Sequence, residues 1–287
     1  MNLFRARATA VLLSTACAAF AAGDTIDGGT TATGTTAESG TDDGEGATVA
    51  SQSNRTTANR PSPTPARPAA DGTLAGKTIH LDPGHAAAMP EPNPMITDGR
   101  GGVKPCQVPG TAANDGWPEH TFNWLMAGAI RERLEERGAT VTLSRNDDAG
   151  VADCIDVRAL KENESDADLV VSLHADGSEE GNRGFHVIAI ADPLPANDVD
   201  GSMALAGAIR DAFVDAGFAP SNYLGTDGID LRSDLTGLNL SSKPKVLMEF
   251  GNMRDPADIA VLASDDGRAR MADAVVDGIM RTIEGES

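Results

Sequence analysis

The sequence predicts an α/β domain built on a mostly parallel, twisted sheet with helices on both faces. Three observations carry this expectation. From Leu74 onward, apolar runs of strand length alternate with amphipathic stretches of helix length, the pattern of strands joined by helical crossovers. Two strand runs, "LVVSLH" and "KVLMEFGN", are nearly continuous in apolar residues, as strands covered on both faces require. Two helical stretches halt at glycines, Gly138 and Gly217, as helix ends commonly do.

The elements follow in order. "KTIHLD" (77–82) is the first strand, and a Gly- and Pro-rich loop spans 86–117. "PEHTFNWLMAGAIRERLEERG" is a helix over 118–138, with Pro118 placed to start it and Phe122, Leu125, Met126, Ala129 and Ile130 at helical spacing. "ATVTLSR" (139–145) is a strand, 155–164 a helix, and 169–174 a strand that ends on His174. "GFHVIAIAD" (184–192) is a strand, 203–216 a helix, and the Gly-rich stretch after it is irregular. "KVLMEFGN" (245–252) is the last strand, followed by helices over 256–263 and 268–283.

Residues 1–22 read as an export signal: Arg5 and Arg7, a short apolar run, then small residues. The run is too short to anchor permanently in a bilayer. Cleavage after "AFA" and lipidation of Cys17 in the looser box "LSTAC" both stay open, although Ser14 stands where such boxes carry Leu or Val. Residues 23–73 are Thr, Gly, Ser, Ala, Asp and Pro with almost no large apolar side chain, so they are expected to form a tether and not a core. The folded domain is expected over 74–287.

The net charge of −20 repels phosphate backbones, and no basic patch offsets it, so nucleic acid is not an expected partner. The expected contact with a membrane is limited to a lipid on Cys17. With Cys17 in the signal, Cys106 and Cys154 remain as an even pair in an exported chain, which favours one disulfide over two unrelated thiols.

In sheets of this type, ligands gather outside the carboxyl ends of the strands. Three strands carry a polar group there: His85 just past the Pro83-Gly84 turn, His174, and Glu249 between Met248 and Phe250. Glu119 shares a helix face with Phe122 and Met126, so its carboxylate points inward with the apolar stripe. An inward carboxylate needs a partner or a metal. Two His and one Glu make a zinc ligand set that leaves a fourth position open. Each residue also has a plainer reading: a hydrogen-bonded structural His, Glu119 complementing a helix dipole, Glu249 paired with Arg145 or Arg158. It is the coincidence of four such groups on one sheet edge that points to a site. His80 in a strand body, His120 on the helix side shared with Trp124, and His186 within a strand interior are expected to lie outside it.

"HLDPGH", "PEH" opening a helix, "LVVSLHADG" and "VLMEFGN", in this order, resemble the zinc-dependent N-acetylmuramoyl-L-alanine amidases of bacterial cell walls, and most nearly their compact actinobacterial type. The likeness spans 75–284. It implies a catalytic domain in which His85, Glu119 and His174 hold Zn²⁺ and Glu249 assists catalysis. It also implies a disulfide between Cys106 and Cys154. The implied reaction cleaves the amide between N-acetylmuramic acid and the L-alanine of the stem peptide. Peptidoglycan or muropeptide fragments are then the partners of an exported, monomeric protein, free or lipid-anchored in the cell envelope. Two rivals remain at this point. A zinc peptidase or carboxypeptidase would use the same ligands with an Arg such as Arg145, Arg232 or Arg254 on a peptide carboxylate, and a non-enzymatic envelope protein would only bind wall fragments.

Overall fold

The structure, a computed structural model, describes residues 73–285. The expected export signal, Cys17 and all but the last residue of the tether lie outside the described residues. Leu74 is already buried in the core.

Six strands form the main sheet, in the order β4-β1-β5-β8-β6-β7. They are β1 (Thr78–Pro83), β4 (Thr140–Leu143), β5 (Leu169–Asp176), β6 (His186–Ile190), β7 (Ile229–Arg232) and β8 (Lys245–Asn252). The strands β4, β1, β5 and β8 run parallel; β6 lies antiparallel to β8, and β7 is parallel to β6. The sheet is therefore mostly parallel, as expected, with one reversed pair at an edge. Besides the short helix α4 (Thr236–Asn239), two strand features escaped the sequence. A hairpin of β2 (Met95–Thr97) and β3 (Val103–Pro105) lies inside the long loop, and β7 lies in the stretch read as irregular. Each is too short for a period-two pattern to stand out.

Alternation along the strands assigns two different faces. Ile79, Leu81, Val171, Leu173, Val187, Ala189, Val246, Met248 and Phe250 point to one side. There they meet the apolar stripes of α1 (Glu119–Glu136), α3 (Val199–Asp215) and α6 (Asp265–Gly285). Burying a side chain the size of Leu173 or Phe250 there contributes about 1.5–3 kcal/mol. The other face carries His80, Asp82, Ser172, His174, Lys245, Leu247, Glu249 and His186, and α2 (Ile155–Glu164) and α4 (Thr236–Asn239) lie over it. On this side Arg158 pairs with Asp82, and Lys245 Nζ lies 2.6 Å from Glu162 Oε2, all four side chains buried. Helix α5 (Pro256–Leu262) begins on Asp255, which accepts N–H bonds from Ala257 and Asp258. Helix α3 starts four residues before the expected Met203 because Asp198 caps it, accepting from the Gly201 N–H.

Candidate metal centre

The apolar run of β5 does not end on His174, as expected, but continues to Asp176 through an irregularity in the ladder. His174 pairs with Glu249, and the next pair is Asp176 with Asn252, so one residue of β5 faces two of β8. The extra residue is accommodated at Gly251, whose φ of 154° lies in the region that favours glycine. Such a bulge bends the strand and re-aims neighbouring side chains, here next to Glu249.

His85, Glu119 and His174 meet at this edge, each offering one ligand atom within 4.8 Å of the others. Oε1 of Glu119 lies 3.2 Å from Nε2 of His85 and 3.0 Å from Nδ1 of His174. Two of the three side chains are held from behind. Nδ1 of His85 donates to the Val108 carbonyl at 2.8 Å, which leaves its Nε2 lone pair facing the cluster. Oε2 of Glu119 accepts the Thr111 N–H at 2.8 Å, and Oε1 accepts from Ala175 N–H and from the buried Asn123 amide one helical turn on. Two glycines make room. A Cβ on Gly84 would stand 2.1 Å from Cε1 of His174, and one on Gly110 would stand 2.7 Å from both Glu119 Oε2 and His85 Cδ2.

The electrostatics follow from these contacts. Burial opposes ionisation of Glu119, but the adjoining imidazoles of His174 and His85 outweigh it and hold the carboxyl well below the usual range. For His85, burial works against protonation, yet Glu119 prevails and raises its pKa; for His174, burial dominates and lowers it. Glu249 is pushed well above the usual carboxylate value by burial and then by the nearby charges of Asp176 and Glu119. Its Oε2 is buried without a hydrogen-bond partner among the described residues. Two imidazoles and a carboxylate converging in this way can hold a metal ion, with the buried carboxyl of Glu249 beside it.

A cavity of about 240 Å³ opens on this cluster. His85, His174 and Glu249 line one part, and Val108, Ile155, Ile188, Leu235, Leu238 and Leu247 supply apolar walls. The plainer readings of the sequence do not apply to Glu249. Arg158 is committed to Asp82, while Arg145 binds Asp148 and the carbonyls of Pro83, Asp147 and His120. Arg232, which lines the cavity, is held by both carboxylate oxygens of Asp234, at 2.8 and 2.7 Å. Neither Arg145 nor Arg232 is presented as a free clamp for a peptide carboxylate.

Residues 79–281 match the N-acetylmuramoyl-L-alanine amidase family. The chain belongs to that family. The amidase is 42% identical over 212 residues to N-acetylmuramoyl-L-alanine amidase Rv3717 of Mycobacterium tuberculosis, a match covering 74% of this chain and 88% of that one. The solved structure of apo Ami1, the N-acetylmuramyl-L-alanine amidase of Mycobacterium abscessus, is 44% identical with a TM-score of 0.71, covering 73% of this chain and all of that one. Ami1 of Mycobacterium smegmatis is 40% identical with a TM-score of 0.72, covering 74% and 99% of the two chains.

The amidase also keeps His80 and His120 out of the cluster. His80 Nδ1 bonds Thr142 Oγ1 at 2.8 Å, and burial lowers its pKa to about 4; His120 Nδ1 lies 2.7 Å from Asp148. His186 departs from expectation. It is the register partner of Glu249, not a residue far from the site edge. The reason is topological: β6 runs antiparallel to β8, so its first residue lies beside the carboxyl end of β8. Asp176, whose Oδ2 accepts from Tyr223 Oη at 2.7 Å, was also missed, because the sequence ended the strand two residues early. Cys106 and Cys154 are bonded, with Cα atoms 4.5 Å apart. The bond ties the loop that carries Val108 to the start of α2.

Proposed function

We propose that this amidase hydrolyses the amide joining the lactyl group of N-acetylmuramic acid to the L-alanine of the stem peptide, with His85, Glu119 and His174 holding zinc and Glu249 as general base. The observation that carries the reading is the convergence of two imidazole nitrogens and one carboxylate oxygen, in a chain of this family, beside a buried and unpartnered Glu249. The donor set suits zinc with a fourth position left open. When bound, zinc would polarise the scissile carbonyl and bring the pKa of water toward ~7.

The chain's own groups do the rest. The Val108 carbonyl and the Asn123 amide hold His85 and Glu119 in orientation. Glu249 takes the proton of the attacking water and passes it to the leaving amine, so that L-alanine departs as a neutral amine. Carrying the reaction out on peptidoglycan or its fragments requires export. Residues 1–22 are the proposed signal and 23–73 the proposed tether of a monomeric enzyme in the envelope or beyond. Among the described residues no helix is long and apolar enough to cross a membrane.

The test is digestion of purified muropeptides by zinc-loaded protein, with mass spectrometry of the products. Intact stem peptides bearing a free L-alanine amine, lost on chelation, are expected. Products shortened from the carboxyl end would favour a peptidase, and unchanged substrate would leave only binding.

A further inference from the structure

His186 is a buried titratable group beside Glu249 that the mechanism above leaves unused. It is 1% exposed, and neither ring nitrogen has a hydrogen-bond partner among the described residues. A buried imidazole left without a partner is destabilising, so its presence calls for a reason. Its surroundings supply one. His186 on β6 and Glu249 on β8 are directly opposed antiparallel partners, whose side chains leave the same face with Cβ atoms about 4.5–5.5 Å apart. Glu249 Oε2 is the complementary orphan, a buried acceptor without a donor.

The neighbours select the nitrogen. Nε2 lies 3.7 Å from Asp176 Oδ2, too far for a hydrogen bond, and that oxygen already accepts from Tyr223 Oη. With that oxygen engaged by Tyr223 and the gap beyond bonding distance, the ring has no hydrogen bond to Asp176 to give up when its N–H sits on Nδ1. Burial lowers the pKa of His186, which leaves a neutral ring with a single N–H, then on Nδ1.

We propose that His186 is the positioning residue of Glu249: a small side-chain rotation lets its Nδ1–H donate to Glu249 Oε2, fixing the carboxylate with its other oxygen free for the reacting water. His186 neither gains nor loses a proton in the cycle, and the Asp176–Tyr223 pair limits how far the ring can turn. The inference rests on the assignment of Glu249 as the base.

The test uses the full chain, zinc-loaded, with N-acetylmuramoyl-L-alanyl-D-isoglutamine as substrate. His186→Phe keeps the volume and deletes the polar atoms. It should lower kcat by about 10–100-fold, the usual effect of losing an outer partner, with KM, zinc content and melting temperature kept. His186→Asn restores a polar group near the Nδ1 position and should recover much of the loss. His186→Gln places its amide near Nε2 and should not, so this pair remains informative if the phenylalanine variant fails to fold. In a Glu249→Ala background, His186→Phe should cost nothing further. Wild-type kcat in His186→Phe, equal rescue by Asn and Gln, or a full additional loss in the Glu249→Ala background would overturn the proposal while leaving the base assignment standing. A fully active Glu249→Ala would overturn both.

Discussion

Oε1 of Glu119 lies 3.0 Å from Nδ1 of His174, although 55 residues separate the two in sequence. Glu119 is the first residue of α1, and His174 sits two residues from the end of β5. The carboxylate therefore sits between two imidazoles and is the one acidic group of the three. Glu119→Gln keeps the shape and removes that charge. Zinc affinity should fall by more than the ~10–100-fold typical of an outer-shell loss, measured by competition with a chromogenic chelator. Unchanged affinity would remove Glu119 from the ligand set.

Gly84 is needed for a different reason. A Cβ there would overlap the His174 ring, against which it would stand at 2.1 Å. Gly84→Ala introduces no left-handed strain, so the domain should fold while His174 is displaced. We expect a loss of zinc affinity of about 10–100-fold with the circular dichroism spectrum kept. A variant with wild-type zinc binding would show that the ring has room to move.

The Cys106–Cys154 bond closes a loop of 48 residues. In the chain-entropy model such a crosslink stabilises by roughly 4 kcal/mol. The double Cys→Ser variant should therefore melt at clearly lower temperature. It should also bind zinc more weakly, because Val108, which orients His85, lies two residues from Cys106. Wild-type zinc affinity in the folded variant would separate the disulfide from the site.

Asp82 links stability to pH. Burial opposes its ionisation, but Arg158 and Lys245 prevail and hold the native carboxyl far below its ordinary value of 3.8. A depressed native pKa contributes stability that is present above that ordinary value and is lost as pH falls below it. Arg158→Met leaves a buried carboxylate without its closest cation and should destabilise by about 3–5 kcal/mol at neutral pH. The deficit should narrow as the pH is lowered to about 3, because protonation then relieves the unpaired charge in the variant while it weakens the parent protein. Urea unfolding at both pH values checks this, and a deficit independent of pH would refute it.

Much of this architecture was legible because its signals are local. The continuous apolar runs of β5 and β8 announce covered strands, and a His or Glu inside such a run is conspicuous. What stayed hidden depended on partners distant in sequence. His186 looked like a strand-interior residue because nothing in "GFHVIAIAD" records that β6 runs opposite to β8. The buried network of Asp82, Arg158, Glu162 and Lys245 was invisible for a similar reason. Arg158 and Glu162 share one face of a helix with few large apolar residues, which reads as a solvated surface until the sheet beneath it proves to be charged. Glu119, by contrast, was placed correctly toward the interior because its spacing to Phe122 and Met126 put it on the buried face.

The central claim is that His174 holds the metal and Glu249 moves the proton. One paired measurement tests it: zinc content and muropeptide turnover of His174→Ala and Glu249→Ala, each confirmed folded. His174→Ala should lose zinc and activity together. Glu249→Ala should retain about one zinc per chain while turnover drops by ~10²–10⁴, the usual contribution of a positioned acid–base group. A Glu249→Ala protein that remains active, or a His174→Ala protein that keeps its zinc, would contradict the account.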